Sequence, residues 1–409
     1  MLTYQDVLIR CLDKLLLMGA LGLLIPNVVL LIECVAALFW RSAEAVESEL
    51  DEHPNLAVLM PAHDEAVCIR ATLETITPQL QASDRLVVVA DNCSDETAAI
   101  ARMAGATVIE RQDAERRGKG FALDYGLQCL EADPPDGVIL VDADCRVQAS
   151  ALQSIFQKAI ATGRPVQAVY LMEQPENPSV KDAISAFAFK VKNLVRPLGL
   201  TQLDFPCPLT GSGMAFPWAA IRSADLASGH IVEDMKLGLD LAIAGYPPTL
   251  CATALVVGCL PQQEQAANSQ RTRWEHGHLQ TISAYLPVLL KASIQQKRFD
   301  LLIMALDLAI PPLSLLVSIW LGLTIVACLA GILGTSWLPS ILLAVSGSML
   351  FTAIFGVWLK FGRAELSLRR LLEIPLYILW KIPLYLRFLI QPQKRWVRTE
   401  RDTVDTTEP

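Results

Sequence analysis

Ten cysteines are scattered along this chain, and no two of them stand in a C-x-x-C pair. Neither a zinc site nor a disulfide framework is indicated, and the reduced thiols of a cytosolic compartment fit best. There is no internal repeat and no low-complexity tract. A basic excess is missing too: the net charge is −8, which argues against nucleic acid as a main partner. What the chain has in quantity is apolar residues, 53% of the total, with a positive mean hydropathy. That is too apolar for an ordinary soluble enzyme.

The apolar residues are clustered. Residues 15–40 form one block, broken by Pro26, Asn27 and Glu33, and residues 313–333 and 338–359 form two more. Each can cross a hydrocarbon core, which takes about 20 helical residues. The first block begins after Tyr4-Gln5-Asp6 and ends in Phe39-Trp40-Arg41, so it reads as a retained span and not as a cleaved signal peptide. Three spans without paired half-helices do not suggest a transporter. Basic residues gather after Leu359: Lys360, Arg363, Arg369, Arg370, Lys381, Arg387, Lys394, Arg395, Arg398 and Arg401. By the positive-inside rule that end is cytoplasmic. Residues 371–390 are apolar as well, but Glu373, Lys381, Arg387, Pro375 and Pro383 interrupt them. A charge at mid-bilayer costs roughly 2.5–3.5 kcal/mol. This segment is therefore expected to lie along the cytosolic surface as an amphipathic helix with a basic face.

Between the first two blocks, strands alternate with helices. Residues 56–60, 85–90, 107–109 and 137–141 read as strands, and 67–80, 96–103 and 121–130 as helices. This alternation predicts a parallel sheet covered on both faces, with ligands across the carboxyl ends of its strands. After Ala149 the regularity falls, leaving helices at 151–162, 180–195, 232–244 and 266–290.

Polar clusters fall at the strand ends. His63-Asp64-Glu65 follows the first strand and Asp91-Asn92-Cys93-Ser94-Asp95 the second. Asp142-x-Asp144 follows the fourth, and two carboxylates there suit a hard divalent cation that bridges to phosphates. The first candidate ligand is thus a metal-held nucleotide diphosphate. Lys119, in Gly118-Lys119-Gly120, can approach a phosphate closely or form a solvated basic turn. Asp91 can accept the imide N–H of uracil or cap the next helix; for Ser94 and Asp95 capping is preferred. Asp234 opens a helix, where the dipole favours its ionised form. Gln270, Arg273 and Trp274 share one helical face by their i, i+3, i+4 spacing. Trp274 can stack on a sugar ring or belong to a core. His276 and His278 read as plain helix residues.

Taken in order, these motifs over residues 55–290 resemble the family 2 glycosyltransferases. The Gln270-x-x-Arg273-Trp274 motif and the flanking apolar helices resemble the membrane subgroup that includes cellulose, chitin-oligosaccharide and hyaluronan synthases. The resemblance implies an α/β GT-A fold, Rossmann-like, with a mostly parallel sheet and helices on both faces, plus transmembrane and interfacial helices. It implies inverting transfer of a sugar from a UDP-linked nucleotide-sugar to a growing polysaccharide or lipid-linked acceptor. Donor contacts would come from Glu65, Asp91, Lys119, Asp142 and Arg273, and Asp142 and Asp144 would hold Mg2+ or Mn2+. Asp234 would be the general base, with the adjacent Glu233 facing elsewhere. Gln270, Trp274 and a flexible wall of Gly211, Ser212 and Gly213 would meet the acceptor. Asp64 stands where the family often has Asn, which leaves its role open.

The expected organisation follows. Residues 1–54 hold a span and linker, 55–290 a cytosolic transferase, 291–362 an interfacial segment and transmembrane hairpin, and 363–409 the interfacial helix and tail. The protein would sit in the inner membrane, N-terminus outside and C-terminus inside, with export or polymerisation partners. One-step ceramide-type lipid transferases carry similar motifs. A catalytically silent subunit should have lost the Asp pair, the base or the Arg-Trp motif, and all are present.

Overall fold

The computed structural model describes residues 4–41, 54–174, 178–259 and 264–390. The linker at 42–53 and the basic Lys394, Arg395, Arg398 and Arg401 lie outside the described residues. The chain forms two compact units, one of Met1–Trp40, Ser179–Leu203 and Leu302–Pro392, the other of Arg41–Pro178, Asp204–Leu301 and Gln393–Pro409.

Among the described residues the second unit carries an eight-stranded sheet. Its strands are β1 (Leu56–Ala62), β2 (Arg85–Asp91), β3 (Thr107–Arg111), β4 (Gly137–Leu140), β5 (Cys145–Val147), β6 (Val166–Glu173), β7 (Met214–Pro217) and β8 (Thr249–Cys259). They lie in the order β3-β2-β1-β4-β7-β6-β8-β5. The first four are mutually parallel. The central residues of β1, β2 and β4 form buried aliphatic runs, as strands covered on both faces require, while the edge strand β3 is partly exposed. The helices Ile69–Ile76, Thr97–Met103 and Lys119–Leu130 follow β1, β2 and β3. Leu59, Val89, Leu123, Leu127, Leu140 and Phe216 are buried in one core on this sheet. Beyond β4 the sheet is mixed. β7 runs antiparallel to β4 and β6, β8 parallel to β6, and β5 antiparallel to β8. The mostly parallel sheet expected from sequence is therefore present, with an antiparallel half that the sequence pattern did not announce. The parallel half matters for chemistry, because β1, β2 and β4 end at one edge and deliver His63–Glu65, Asp91 and Asp142 there.

The other unit holds the apolar helices. Val7–Leu38, Leu313–Ile332 and Leu338–Gly362 are long and apolar enough to cross a membrane. Asn27 Nδ2 donates to Ser346 Oγ at 2.5 Å between the first and third. Ser179–Leu203, which the sequence pattern left inside the catalytic stretch, belongs to this unit. It starts at a capping box between Ser179 and Asp182 and runs as the helix Val180–Lys190, a π turn Val191–Val195 and the helix Arg196–Gln202. A Cβ on Gly199 would fall 2.0 Å from the Glu33 carbonyl oxygen, so only glycine allows this helix to lie directly on the first. Beside it, Arg196 Nε donates to Glu33 Oε2 at 2.8 Å, and Nη2 donates to Asp307 Oδ1 at 2.5 Å and to the Asp307 carbonyl at 2.7 Å.

The helix Ile374–Ile390 corrects one expectation. Its outward side chains include Leu376, Leu379, Ile382, Leu386 and Ile390, while Tyr377, Lys381 and Tyr385 are buried. Lys381 lies 5.2 Å from the centre of the Tyr377 ring. The Tyr377 and Tyr385 hydroxyls pair with Ser185 Oγ at 2.8 Å and Ser314 Oγ at 2.5 Å. Lys381, anticipated on an exposed basic face, is turned inward with the tyrosines, while Arg387 stays exposed among the leucines.

Candidate active site

Just past β4 the chain turns sharply, with the Cys145 N–H donating to the Asp142 carbonyl at 3.2 Å. Carboxylate oxygens of Asp142 and Asp144 and the Sγ of Cys145 lie within 4.8 Å of one another. Asp64, Cys93 and Asp95 form a similar group. There, however, the carboxylates serve the backbone: Asp64 Oδ1 accepts from Ser94 N–H at 2.6 Å, and Asp95 accepts from Thr97 and Ala66 N–H at 3.0 and 3.1 Å. Asp95 thus accepts from the first N–H of the helix, although the N-cap itself is Glu96 and makes no side-chain cap bond, while Ser94 braces Asp64, whose φ is +53°.

Lys119 is the first residue of its helix. Its Nζ lies 2.6 Å from Asp142 Oδ1, 2.7 Å from the Gly211 carbonyl and 3.5 Å from Glu233 Oε1. This is no solvated basic turn, since its side chain is 17% exposed. Burial works to lower the lysine's pKa, but the carboxylates of Asp142, Glu233 and Asp234 outweigh it and the net shift is upward. Burial raises Asp142, Lys119 opposes it, and Asp144 adds to it. Glu233 is pushed up to about 7, first by burial, with Lys119 opposing and Asp234 adding.

Glu233 and Asp234 open the helix Glu233–Ile243. They were expected to face different ways. Instead Glu233 reaches Lys119, and Asp234 Oδ2 lies 3.3 Å from where a Cβ on Gly211 would stand. The polar cluster lies beyond the helix end, where neighbouring first-turn side chains both arrive.

The wall at Gly211-Ser212-Gly213 is tied into the sheet by hydrogen bonds. Both glycines have left-handed φ, +112° and +69°. Gln167 clamps the segment, accepting from Thr210 N–H and donating to the Ser212 carbonyl, each at 2.8 Å. Gly213 N–H donates to the Leu140 carbonyl at 3.0 Å. Ser212 is fully buried, and its Oγ accepts from Asp142 N–H at 3.1 Å. Ser212 therefore braces the Asp142 turn and does not line an acceptor surface; of the three, Gly211 borders a carboxylate. The glycines are there for backbone shape, not mobility.

At the β2 end, Asp91 Oδ1 accepts from Arg111 Nη1 at 2.5 Å and Asn92 Nδ2 at 3.0 Å, and His63 Nδ1 lies 2.7 Å from its carbonyl. Arg111 also donates to Asp113 Oδ2 at 3.0 Å and the Arg116 carbonyl at 2.8 Å. Sequence reasoning missed Arg111. The signal was the strand register, which sets Asp91 directly beside Arg111. Glu65 is held by its N–H donating to Thr97 Oγ1 at 2.8 Å.

Gln270, Arg273 and Trp274 lie on the helix Glu264–Gln296. One turn on, a Cβ at Gly277 would fall 2.7 Å from Val232 Cγ1, the residue before Glu233. Tyr285 O–H donates to Asp240 Oδ1 at 2.9 Å. The motif helix is thereby fastened alongside the helix that presents Glu233 and Asp234. Gln270 is buried, and its Oε1 has no hydrogen-bond partner among the described residues. His276 and His278 are buried helix residues.

Residues 53–277, more than half of the chain, match the family described as "Glycosyltransferase like family 2". The chain belongs to this family. Among curated proteins the chain is similar to "Probable glycosyltransferase YdaM" of Bacillus subtilis (strain 168), with 24% identity over 285 residues. That match spans 64% of the chain and 64% of the relative's length, less than two thirds of each. Among solved structures it is similar to the mannosyltransferase PcManGT from Pyrobaculum calidifontis in complex with GDP-Man and Mn2+, at 17% identity and a TM-score of 0.55. The similarity covers 94% of this chain and 100% of that chain, and it shows a shared GT-A fold. Glucosyl-3-phosphoglycerate synthase from Mycobacterium tuberculosis, solved with Mn2+, UDP and glucosyl-3-phosphoglycerate, is 22% identical over 54% of this chain and 76% of its own chain, with a TM-score of 0.37.

Proposed function

We propose that the transferase moves a sugar, with inversion, from a UDP-linked nucleotide-sugar to a lipid-linked or growing polysaccharide acceptor at the inner membrane. The observation that carries this reading is the meeting of Asp142, Glu233, Lys119 and the Gly211 carbonyl at one point, with Asp234 alongside. Such a cluster can face a diphosphate on one side and an acceptor hydroxyl on the other.

Asp142 and Asp144 would hold Mg2+ or Mn2+. Their oxygens suit a hard cation, and burial keeps the neighbouring Cys145 thiol protonated, with a pKa well above its usual value. Mn2+ in the solved mannosyltransferase of this fold supports the choice. When bound, the ion offsets the charge that develops on the leaving diphosphate. Asp91 and Glu65 would take the nucleoside, Arg273 the diphosphate, and Gln270, Trp274 and Gly211 the acceptor. Asp234 would accept the proton of the acceptor hydroxyl. Asp234→Asn is expected to keep UDP affinity and to lose ~10²–10⁴-fold in turnover. A collapse of UDP affinity would move Asp234 into the nucleotide site. Mass spectrometry of the product formed from a panel of nucleotide-sugars identifies the sugar and whether one or many are added.

The organisation proposed is a span and linker over 1–54, a cytosolic transferase over 55–290 from which 179–203 departs to join the helical unit, a transmembrane hairpin within 291–362 and a peripheral helix and tail over 363–409. Three apolar helices among the described residues support it. The inward position of Lys381 removes part of the charge cost that argued against a fourth crossing. Single cysteines at 2, 336 and 405 should label from outside at the first two only. Labelling at 405 would establish the fourth span.

A further inference from the structure

We propose that Lys119 is a positioning residue that ties the donor-side carboxylate Asp142 to the acceptor-side pair Glu233 and Gly211, and is not a ligand of the donor's phosphates. The proposal rests on the metal and base assignments made above. A lysine ammonium has three N–H donors and no acceptor. Three acceptors stand around Lys119 Nζ: Asp142 Oδ1 at 2.6 Å, the Gly211 carbonyl at 2.7 Å and Glu233 Oε1 at 3.5 Å. Two donors are committed at bonding distance and the third faces Glu233 in an ion pair, so a phosphate oxygen would have to displace that carboxylate.

The lysine's own backbone is fixed. A Cβ on the next residue, Gly120, would fall 2.5 Å from the Leu226 carbonyl and 2.8 Å from that of Ser228, so the start of the helix is pressed onto that segment. The partners are fixed as well. Asp142 hangs from Ser212 Oγ, and the Gly211 carbonyl belongs to the stretch clamped by Gln167. Lys119 thus joins three rigid pieces: the turn after β4, the Gly-Ser-Gly wall and the first turn of the Glu233–Ile243 helix. It is also the cation set among Asp142, Glu233 and Asp234, whose like charges would otherwise repel one another.

Losing such a tie and losing a phosphate ligand have opposite signatures. The test measures Mn2+ binding without nucleotide, UDP binding at saturating Mn2+, and turnover, on the full-length transferase in detergent. Lys119→Met should bind Mn2+ about tenfold more tightly, because a cation that competes for Asp142 is gone. Its UDP affinity should stay within about threefold of wild type while kcat falls about a hundredfold through misplacement of the acids. Lys119→Arg keeps the charge and decides the matter if the methionine variant does not fold. It should show wild-type Mn2+ and UDP affinity with kcat down about tenfold, since a planar fork cannot meet acceptors set for a tetrahedral ammonium. Unchanged Mn2+ affinity with weakened UDP binding in Lys119→Met, or full turnover in Lys119→Arg, would overturn the proposal, because arginine is a good phosphate ligand. If wild type itself binds no Mn2+, the metal assignment falls and takes this proposal with it, a failure visible before any variant is made.

Discussion

Two clusters in this protein have the same composition, one cation between two carboxylates, and opposite surroundings. In the unit of apolar helices, Arg196 lies between Glu33 and Asp307, with side-chain exposures of 7%, 2% and 10%. In the sheet unit, Lys119 lies between Asp142 and Glu233, with exposures of 17%, 25% and 15%. The sealed cluster uses a guanidinium, whose rigid fork keeps its donors aimed where no water can help. The open one uses an ammonium, and its carboxylates keep a face for something else to bind. A sealed ion cluster fixes which helices meet; an open one leaves carboxylates at a surface that a cation or phosphate can reach.

The largest effect that would sharpen this contrast is in the open cluster. Asp144→Ala should abolish transfer and divalent-dependent UDP binding without lowering the unfolding temperature in detergent, and EDTA should mimic it. Full activity in chelator would remove the metal from the mechanism. Next comes Arg196→Met, which leaves Glu33 and Asp307 buried and unpaired. Breaking such a cluster costs about 3–5 kcal/mol, seen as early aggregation on heating, while the folded fraction should bind UDP normally. A stable but inactive Arg196→Met protein would break the comparison by giving the sealed cluster a role in transfer. Trp274→Ala should raise the acceptor KM about tenfold, or about 1.4 kcal/mol, with UDP affinity unchanged. Loss of both affinities together would mean that Trp274 belongs to the core.

The smallest effect is a pH slope. Glu233 holds its proton up to about pH 7 in the fold, against 4.5 as its ordinary value. Between those values the folded protein binds a proton that the unfolded chain has released, so metal-free stability falls as pH rises across this window. Asp142, also raised, contributes with the same sign. Glu233→Gln should flatten the slope in thermal unfolding; an unaltered slope would assign it to other groups.

The parallel half of the sheet was legible because β1, β2 and β4 are short aliphatic runs that stop at turn residues and carboxylates. β7 is only Met-Ala-Phe-Pro and pairs with strands far away in sequence, so no local period marks it. In the site, Asp142, Asp144, Asp234 and Lys119 could be picked out by type and order. Arg111 could not, because its partner Asp91 is defined by strand register. Ser212 was misread because two glycines suggested mobility, whereas their positive φ folds the segment under Asp142. Lys381 was misread because an amphipathic pattern says which residues share a face, not which face is covered.

The excursion of Ser179–Leu203 bears on how the protein can be made. β6 and β7 are sheet neighbours, yet between them the chain leaves to pack Gly199 against Glu33 and returns. As the chain leaves the ribosome, the first apolar helix comes out early enough to receive this segment before β7 and β8 exist. Asp307 arrives last and completes the cluster around Arg196. A fragment trimmed to the family-matching stretch 53–277 retains Arg196 but has lost both of its carboxylates and the helix that covers Gly199. Such a fragment carries an orphaned guanidinium on an uncovered helix.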